Sequence, residues 1–321
     1  MSRRFAVGVA YVGGRFSGFA ANTQAALPAV EDQLLAALSK LTPNYASFQV
    51  SSRTDAGVHA LRNVFSVDVL NPALSEDNIR QGLNFHLAPQ VRGAVRVTDV
   101  KLVAPDFDAR LHATGRTYVY RVVESAAPST GAALMHQHQA WVLEQQARGN
   151  STGRASAPLD VAAMRACVPL MMGERDFASF QSSGCQSQST HRNVTQLEIA
   201  EAPAPPPPPP PQQQPEEQEL GQPACIDPLF SNCRLVTLTI SANAFLLRQC
   251  RNMVSALVAV GQGRLRPEEL EWIMQARDRA AVVAKYKMRP APAAGLYLLD
   301  VHYDDREGRG SRRSPPSPLR H

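Results

Sequence analysis

The sequence predicts an α+β fold with a largely antiparallel sheet flanked by helices. Strand-like and helix-like segments are about equal in number, and the strands have hairpin-like spacing. Neither a GxGxxG motif nor a phosphate-binding loop is present, so a nucleotide-cofactor fold has no support. With 44% apolar residues, a chain of 321 residues can form the core of one large domain or two ordinary ones.

Five segments have the β-branched alternation that is typical of half-exposed strands. In chain order they are FAVGVAY, NVFSVDVL, GAVRVTDV, TYVYRVV and RLVTLTIS.

Amphipathic helices are predicted between these strands. VEDQLLAALSKL follows Pro28 and repeats apolar residues along one helical face, at Val30, Leu34, Leu38 and Leu41. Ser75 is placed to cap the helix SEDNIRQGLNFHL, and Asp160 is placed to cap the helix after it.

Three segments lack the composition of packed elements. Residues 201–211 hold 8 of the 25 prolines, and glutamines and acidic residues follow them, which predicts a disordered or polyproline-like insertion over residues 201–230. Residues 147–158 form a smaller polar insertion, and residues 304–321 form a basic disordered tail. The formal charge of +5 includes −5 from residues 201–230 and +4 from residues 306–321, leaving a body of +6 that suits a polyanionic partner.

Composition also predicts the surroundings of the protein. No apolar run approaches the roughly 20 residues of a membrane-spanning helix, so we expect a soluble protein without a membrane partner. The five cysteines form no CxxC pair, which favours a reducing intracellular compartment such as cytoplasm, nucleus or mitochondrion. His136 and His138 have no third ligand at a matching spacing, so we predict a surface loop and no metal site.

Three positions are candidates for chemistry, and each has two interpretations. Asp55, in SSRTDAGVHA, is either a catalytic carboxylate held at the end of a strand or the polar residue of a turn permitted by Gly57. In FLLRQCRNMVSALVAVG, a face with Arg248, Arg251, Asn252 and Ser255 is either solvated or turns one arginine toward a carboxylate.

The third candidate is the strand segment RTYVYRV. It places Tyr118 and Tyr120 on one face, with Arg116 just before them. The tyrosines either pack on the sheet or line a pocket, where one could stack on a nucleobase and transfer a proton.

Six sequence motifs occur in this order along the chain: YVGGRFSGFAANTQ, SSRTDAGVHALRNVFSVDV, DFDARLHATGRTYVYRV, DFASFQSSGCQSQSTHRNV, FLLRQCRNMVSALVAVG and APAAGLYLLDV. Together they resemble the successive motifs of the TruA-type tRNA pseudouridine synthases. They cover most of residues 5–303, and RTDAGVHA is the most specific of them.

The resemblance implies a role for each candidate residue. Asp55 matches the catalytic carboxylate, Tyr118 the tyrosine that stacks on the target base, and Arg251 the basic partner of the aspartate. Arg53 is expected to help hold the RNA backbone or the flipped nucleotide, and Arg116 is assigned to substrate binding with Tyr118. Arg248 receives no catalytic role.

The implied reaction needs no cofactor. Uracil is detached from C1′ of its ribose, turned and rejoined through C5. Asp55 acts either as a nucleophile at the ribose or as the base that starts elimination. The implied substrate is a uridine in structured RNA, in the tRNA anticodon arm, and a second implied role for Tyr118 is to take the C5 proton.

The resemblance also implies the architecture. The family fold has two similar subdomains, which we place at residues 1–104 and 105–303, and its members form homodimers. Phe19 and Ala20 stand where relatives usually have an aromatic residue, often Trp, so the substrate is less defined than the chemistry. The proline-rich insertion is a tolerated loop, a cover for an RNA path or a docking segment for a protein partner.

Two other function classes compete with this assignment. The first is an RNA-binding protein of the same fold that acts as an RNA chaperone or translation factor with little turnover. The second is a metal-dependent hydrolase using Asp55 and nearby histidines, which the ligand spacing disfavours.

Overall fold

Strands and helices alternate along the chain in a computed structural model that describes residues 2–21, 25–91, 93–125, 136–144, 158–202 and 233–304. The chain forms two units. The first comprises Met1–Thr117 and Leu298–His321, and the second comprises Tyr118–Tyr297.

The first unit is built on antiparallel strands. Their bounds are β1 Arg3–Tyr11, β2 Tyr45–Val50, β3 His59–Val69, β4 Val95–Leu102 and β10 Leu296–Tyr303. Strand β10 belongs to this unit from Leu298 onward. The order is β4-β1-β3-β10, and β2 also pairs with β3. Phe5, Val7 and Val9 of β1 are buried, and so are the valines and Phe65 of β3, whereas Leu61 of β3 is exposed.

Two helices accompany these strands, α1 over Val30–Leu41 and α2 over Glu76–Val91. The Asp32 carboxylate accepts from the backbone N–H of Ala29 at 3.0 Å and so closes the first turn of α1. The predicted cap of α2 is confirmed, because Ser75 Oγ accepts from the N–H of Asn78 at 3.1 Å. The helices pack so closely that a β-carbon on Gly82 would lie 2.5 Å from Leu41 Cδ1.

The other strands that the structure describes belong to the second unit. Their bounds are β5 Ala113–Ser125, β6 Trp141–Glu144, β7 Gly173–Asp176, β8 His191–Ala202 and β9 Cys233–Ala242. Strand β5 belongs to the second unit from Tyr118 onward. The order is β5-β9-β8-β7, and β6 runs parallel to β5. Strands β7, β8 and β9 pair antiparallel.

The described residues of the second unit form four α-helices: α3 Val161–Ala166, α4 Gln249–Gly261, α5 Pro267–Ala276 and α6 Arg279–Tyr286. Asp160 caps α3 as predicted, accepting from the N–H of Ala163 at 2.8 Å. Helix α4 is central, since every residue except Arg251 is buried.

The predicted α+β fold with a largely antiparallel sheet and flanking helices is confirmed. The similarity of two subdomains, and their boundary between residues 104 and 105, stay predictions. In the described residues no helix is long and apolar enough to cross a membrane.

Two local expectations are corrected. Strand β8 continues through Glu201 and Ala202, so the strand ladder includes the first two residues of the predicted insertion. The described histidine loop is not all surface: His138 is exposed, but His136 is buried and its carbonyl accepts from two backbone N–H groups. The remainder of residues 201–230, all of 147–158 except Pro158, and the tail beyond Asp304 lie outside the described residues.

Candidate active site

Asp55 lies on a tight turn that follows the loop after β2. The backbone N–H of Val58 donates to the Asp55 carbonyl at 3.1 Å, and Gly57 has a φ of 81°, which glycine adopts without strain. The Asp55 side chain is half-buried. The carboxylate in this position therefore extends from a fixed backbone.

The turn is held from one side by residues 13–19, which we call the clasp. Gly18 forms an isolated antiparallel bridge with Asp55, and the N–H of Phe19 donates to the Thr54 carbonyl at 3.0 Å. A β-carbon on Gly18 would lie 2.9 Å from the oxygen of Thr54, and one on Gly13 would lie 1.9 Å from the oxygen of Val58. The clasp therefore touches the turn on both sides of Asp55.

A buried network of polar side chains forms hydrogen bonds to the residues just before Asp55. Tyr11 Oη and Thr54 Oγ1 are 2.8 Å apart, and Asn63 Nδ2 donates to Tyr11 Oη at 3.2 Å and to the carbonyl of Ser52 at 2.8 Å. Ser51 Oγ donates to Asn63 Oδ1 at 2.8 Å. Burial raises the pKa of Tyr11 to about 12, against the smaller lowering effect of its hydrogen bonds.

Arg116 contacts this loop. Its Nη2 donates to the carbonyl of Ser51 at 3.0 Å and its Nε to Ser52 Oγ at 3.4 Å. These contacts orient the residues that precede Asp55, while the predicted substrate contact of Arg116 stays a prediction. Arg53, between Ser52 and Thr54, is exposed, and its predicted RNA contact stays a prediction.

In the second unit, Tyr118 is half-buried on β5. Its ring stands at 90° to the ring of Phe245, with 5.2 Å between the centroids, so Phe245 supports the Tyr118 ring through an edge contact. Tyr120 is fully buried instead, and its hydroxyl donates to the carbonyl of Pro292 at 2.8 Å. Burial raises the pKa of Tyr120, and the charge of Arg251 opposes that shift. Of the two tyrosines, Tyr118 is the one with accessible surface.

Arg251 occupies the first turn of α4 and is half-buried. Its Nε donates to the carbonyl of Ala291 at 2.7 Å, and the N–H of Ala291 donates to the Arg251 carbonyl at 3.1 Å. This two-way connection fixes the direction in which the arginine leaves the helix.

The predicted polar face of α4 is corrected by the structure. A solvated face was one of the two interpretations, and it does not hold for Asn252 and Ser255, which are buried. Asn252 Nδ2 donates to the Phe180 carbonyl at 2.6 Å and its Oδ1 accepts from Arg279 Nη2 at 2.9 Å. The helix also begins later than predicted, because Arg248 is an exposed, left-handed cap with a φ of 58°.

The predicted site residues are distributed over both units. Asp55, Arg53 and Arg116 lie in the first unit, and Tyr118 and Arg251 lie in the second. The pairing of Arg251 with Asp55 stays a prediction. Among the residues that the structure describes, no three His, Cys, Asp or Glu side chains are grouped to hold a metal ion.

Sequence reasoning missed the clasp, the Tyr11–Asn63 network and Phe245. Tyr11 and Asn63 stand at inward positions of predicted strands, where a polar group needs a buried partner, and that signal was available. Which partner each side chain finds depends on strand register, which the sequence pattern does not determine.

Comparison with known proteins gives the class of protein to which this fold and site belong. The family described as tRNA pseudouridine synthase matches residues 8–108 and 168–304. This chain belongs to that family.

Curated relatives match nearly the whole chain. It is 31% identical over 301 residues to tRNA pseudouridine synthase A of Mesorhizobium japonicum, covering 94% of this chain and 99% of the relative. It is 32% identical to tRNA pseudouridine synthase-like 1 of Mus musculus, covering 94% of both chains, and 32% identical to the Homo sapiens protein of the same name, covering 94% and 90%.

Proposed function

We propose that this protein isomerises specific uridines of tRNA to pseudouridine, with the anticodon arm as the target region. The observation that carries the proposal is the braced turn of Asp55. Its backbone is held by the clasp and its preceding residues by Arg116, while its side chain keeps accessible surface. Such preorganisation suits a group that must meet one reacting atom in one direction.

Asp55 acts at the ribose in this proposal. As an ionised carboxylate it either attacks C1′ or removes a ribose proton, and in both routes the bond between C1′ and N1 of uracil breaks. The detached uracil turns and rejoins C1′ through C5, which breaks the bond between Asp55 and C1′ in the first route, while in the second route the ribose proton is returned to the sugar. The C5 proton then passes to a base, the role assigned to Tyr118, and N1 of the uracil takes up a proton. No redox step and no external group enter this balance.

Tyr118 and Arg251 are assigned the supporting roles. A uridine drawn out of a folded RNA arm loses its stacking, at a cost of a few kcal/mol, and an aromatic face replaces part of it. Tyr118 has accessible ring surface and an edge contact from Phe245 that steadies it. Arg251 is oriented by its hydrogen bond to the Ala291 carbonyl, and its proposed role is to keep Asp55 ionised and oriented.

The assembly is part of the proposal. A homodimer would double the modest positive surface of one chain, which helps a mildly basic protein to hold an RNA backbone. A protein partner at residues 201–230 is a further proposal, supported by the proline-rich composition alone.

The test is pseudouridine formation by purified protein on a tRNA transcript. We expect Asp55→Asn, which keeps the shape of the side chain, to abolish product while tRNA binding stays within a few-fold. Asp106→Asn, at an exposed aspartate of the same unit, is the matched control and should be fully active. Undiminished activity of Asp55→Asn would remove Asp55 from the mechanism, and an inactive wild type that binds tRNA would favour the RNA-chaperone alternative.

A further inference from the structure

A short segment after α6 presents two cations from a fixed backbone. Lys287 and Arg289 are exposed, whereas Met288 between them is buried. We call Lys287 and Arg289 the 287/289 pair. Met288 anchors the segment in the core, and the residues on either side of it are exposed.

The backbone of this segment is held at three points. The N–H of Lys287 donates to the Val283 carbonyl at 2.9 Å, and the carbonyl of Met288 accepts from Arg279 Nη2 at 2.9 Å. Ala291, two residues beyond Arg289, is bonded in both directions to Arg251. The backbone of the 287/289 pair is therefore held in place, and Arg289 is two residues from the contact with the arginine that we assign to the active site.

The local charge is positive and not neutralised within the segment. Residues 279–291 contain Arg279, Lys285, Lys287 and Arg289 and no acidic residue. Lys285 lies over the Trp272 ring at 4.0 Å, but neither member of the 287/289 pair forms a salt bridge in the described part of the chain. Exposed cations without acidic partners attract polyanions.

We propose that the 287/289 pair contacts phosphate groups of the RNA strand that carries the target uridine. The inference rests on the proposed function, because that function supplies the RNA and places Arg251 at the reacting nucleotide. A phosphate contact carries no sequence information; it sets the register of the strand, so that the target base meets the catalytic groups. The pair is thus a substrate-positioning site and not a catalytic one.

The chain offers a matched control at the other end of α4. Arg264 and Arg266 are also exposed and flank a buried residue, Leu265. Helix α4 extends ten residues from Arg251 to Gly261, or about 15 Å at the rise of an α-helix. K287Q/R289Q and R264Q/R266Q remove the same number of positive charges, and Arg266, unlike the 287/289 pair, has an acidic partner in Glu269 at 3.4 Å.

The experiment measures tRNA affinity from low to high salt, together with pseudouridine formation by the same protein samples. For K287Q/R289Q we expect binding weaker by on the order of tenfold near physiological salt, and a salt slope smaller by about 1 to 2. At saturating tRNA, kcat should stay near that of wild type. R264Q/R266Q should keep the wild-type slope, and K287R/R289K, which retains both charges, should also keep it.

Two results would overturn the inference while leaving the proposed function intact. One is a wild-type salt slope for K287Q/R289Q in an active protein, and the other is an equal loss for R264Q/R266Q, which would indicate a diffuse charge effect. Absence of product from wild-type protein on tRNA would instead overturn the proposed function, and the inference with it.

Discussion

Gly18 pairs with Asp55 through an isolated antiparallel bridge, at a point where the strand ladders have ended. The φ of Gly18 is +119°, a conformation that residues with a β-carbon rarely adopt. Both the conformation and the close approach to Thr54 exclude a side chain at this position. The position of the carboxylate therefore depends on a residue that has no functional group.

Gly18→Ala should lower kcat much more than it raises KM. The added β-carbon would press on the Thr54 carbonyl and move Asp55, and a displacement near 1 Å costs on the order of 100-fold in rate. Gly263→Ala is the control, because Gly263 also has a positive φ but open space around it. Steady-state kinetics on tRNA check the prediction; equal kcat values for both variants would contradict it.

Tyr11 should make the folded state sensitive to alkaline pH. Burial raises its pKa from 10.0 to about 12. Because the folded-state pKa lies above the unfolded one, this contribution to stability is complete below about pH 10 and is lost as pH rises toward 12. Thermal melting from pH 8 to 11 should show a shallower alkaline loss for Tyr11→Phe than for wild type. Parallel curves would show that Tyr11 does not titrate with unfolding.

Arg234 should stabilise the second unit by neutralising a buried carboxylate. Its Nη1 lies 3.0 Å from Oε2 of Glu124, whose side chain is 6% exposed, and its Nη2 also pairs with Glu201. Arg234→Met should reduce the free energy of unfolding by about 3 kcal/mol, since Glu124 is left buried and charged.

The control for this prediction is the Arg165 salt bridge to Glu201, in which the Arg165 side chain is 48% exposed. Arg165→Met should cost less than about 1 kcal/mol. Denaturant unfolding measures both variants, and the double variant Glu124→Gln/Arg234→Met should recover part of the loss. Equal, small losses for both arginines would contradict the assigned role of Glu124.

Deletion of residues 203–224 should leave catalysis intact. Strands β8 and β9 pair as far as Ala202 and Leu235, and the Arg234–Glu201 ion pair joins them at that end. The eight residues that remain, 225–232, are enough to connect adjacent antiparallel strands. Activity on tRNA within a few-fold of wild type is the expected result. A large loss with unchanged melting would place the insertion on the RNA path.

The sequence predicts β1, β3, β4, β5 and β9 and the caps Ser75 and Asp160, because alternation and capping residues act locally. It does not predict strands such as β7 and β8 or the helices α5 and α6. Asp55, Tyr118 and Arg251 were found through motif resemblance, since each has an ordinary structural explanation when taken alone. The burial of Asn252 was not predicted, because its partners Phe180 and Arg279 are distant in sequence. The clasp was not predicted either, because the role of Gly18 is to lack a side chain where the backbone of Thr54 comes close.

The most direct test of the central claim is a transcriptome-wide pseudouridine map of cells that express either the wild-type protein or Asp55→Asn at equal abundance. We predict that a defined set of tRNA sites, concentrated in the anticodon arm, disappears in the variant while all other sites persist. Identical maps from the two cell lines would contradict the account, because a protein whose carboxylate is dispensable does not catalyse this isomerisation.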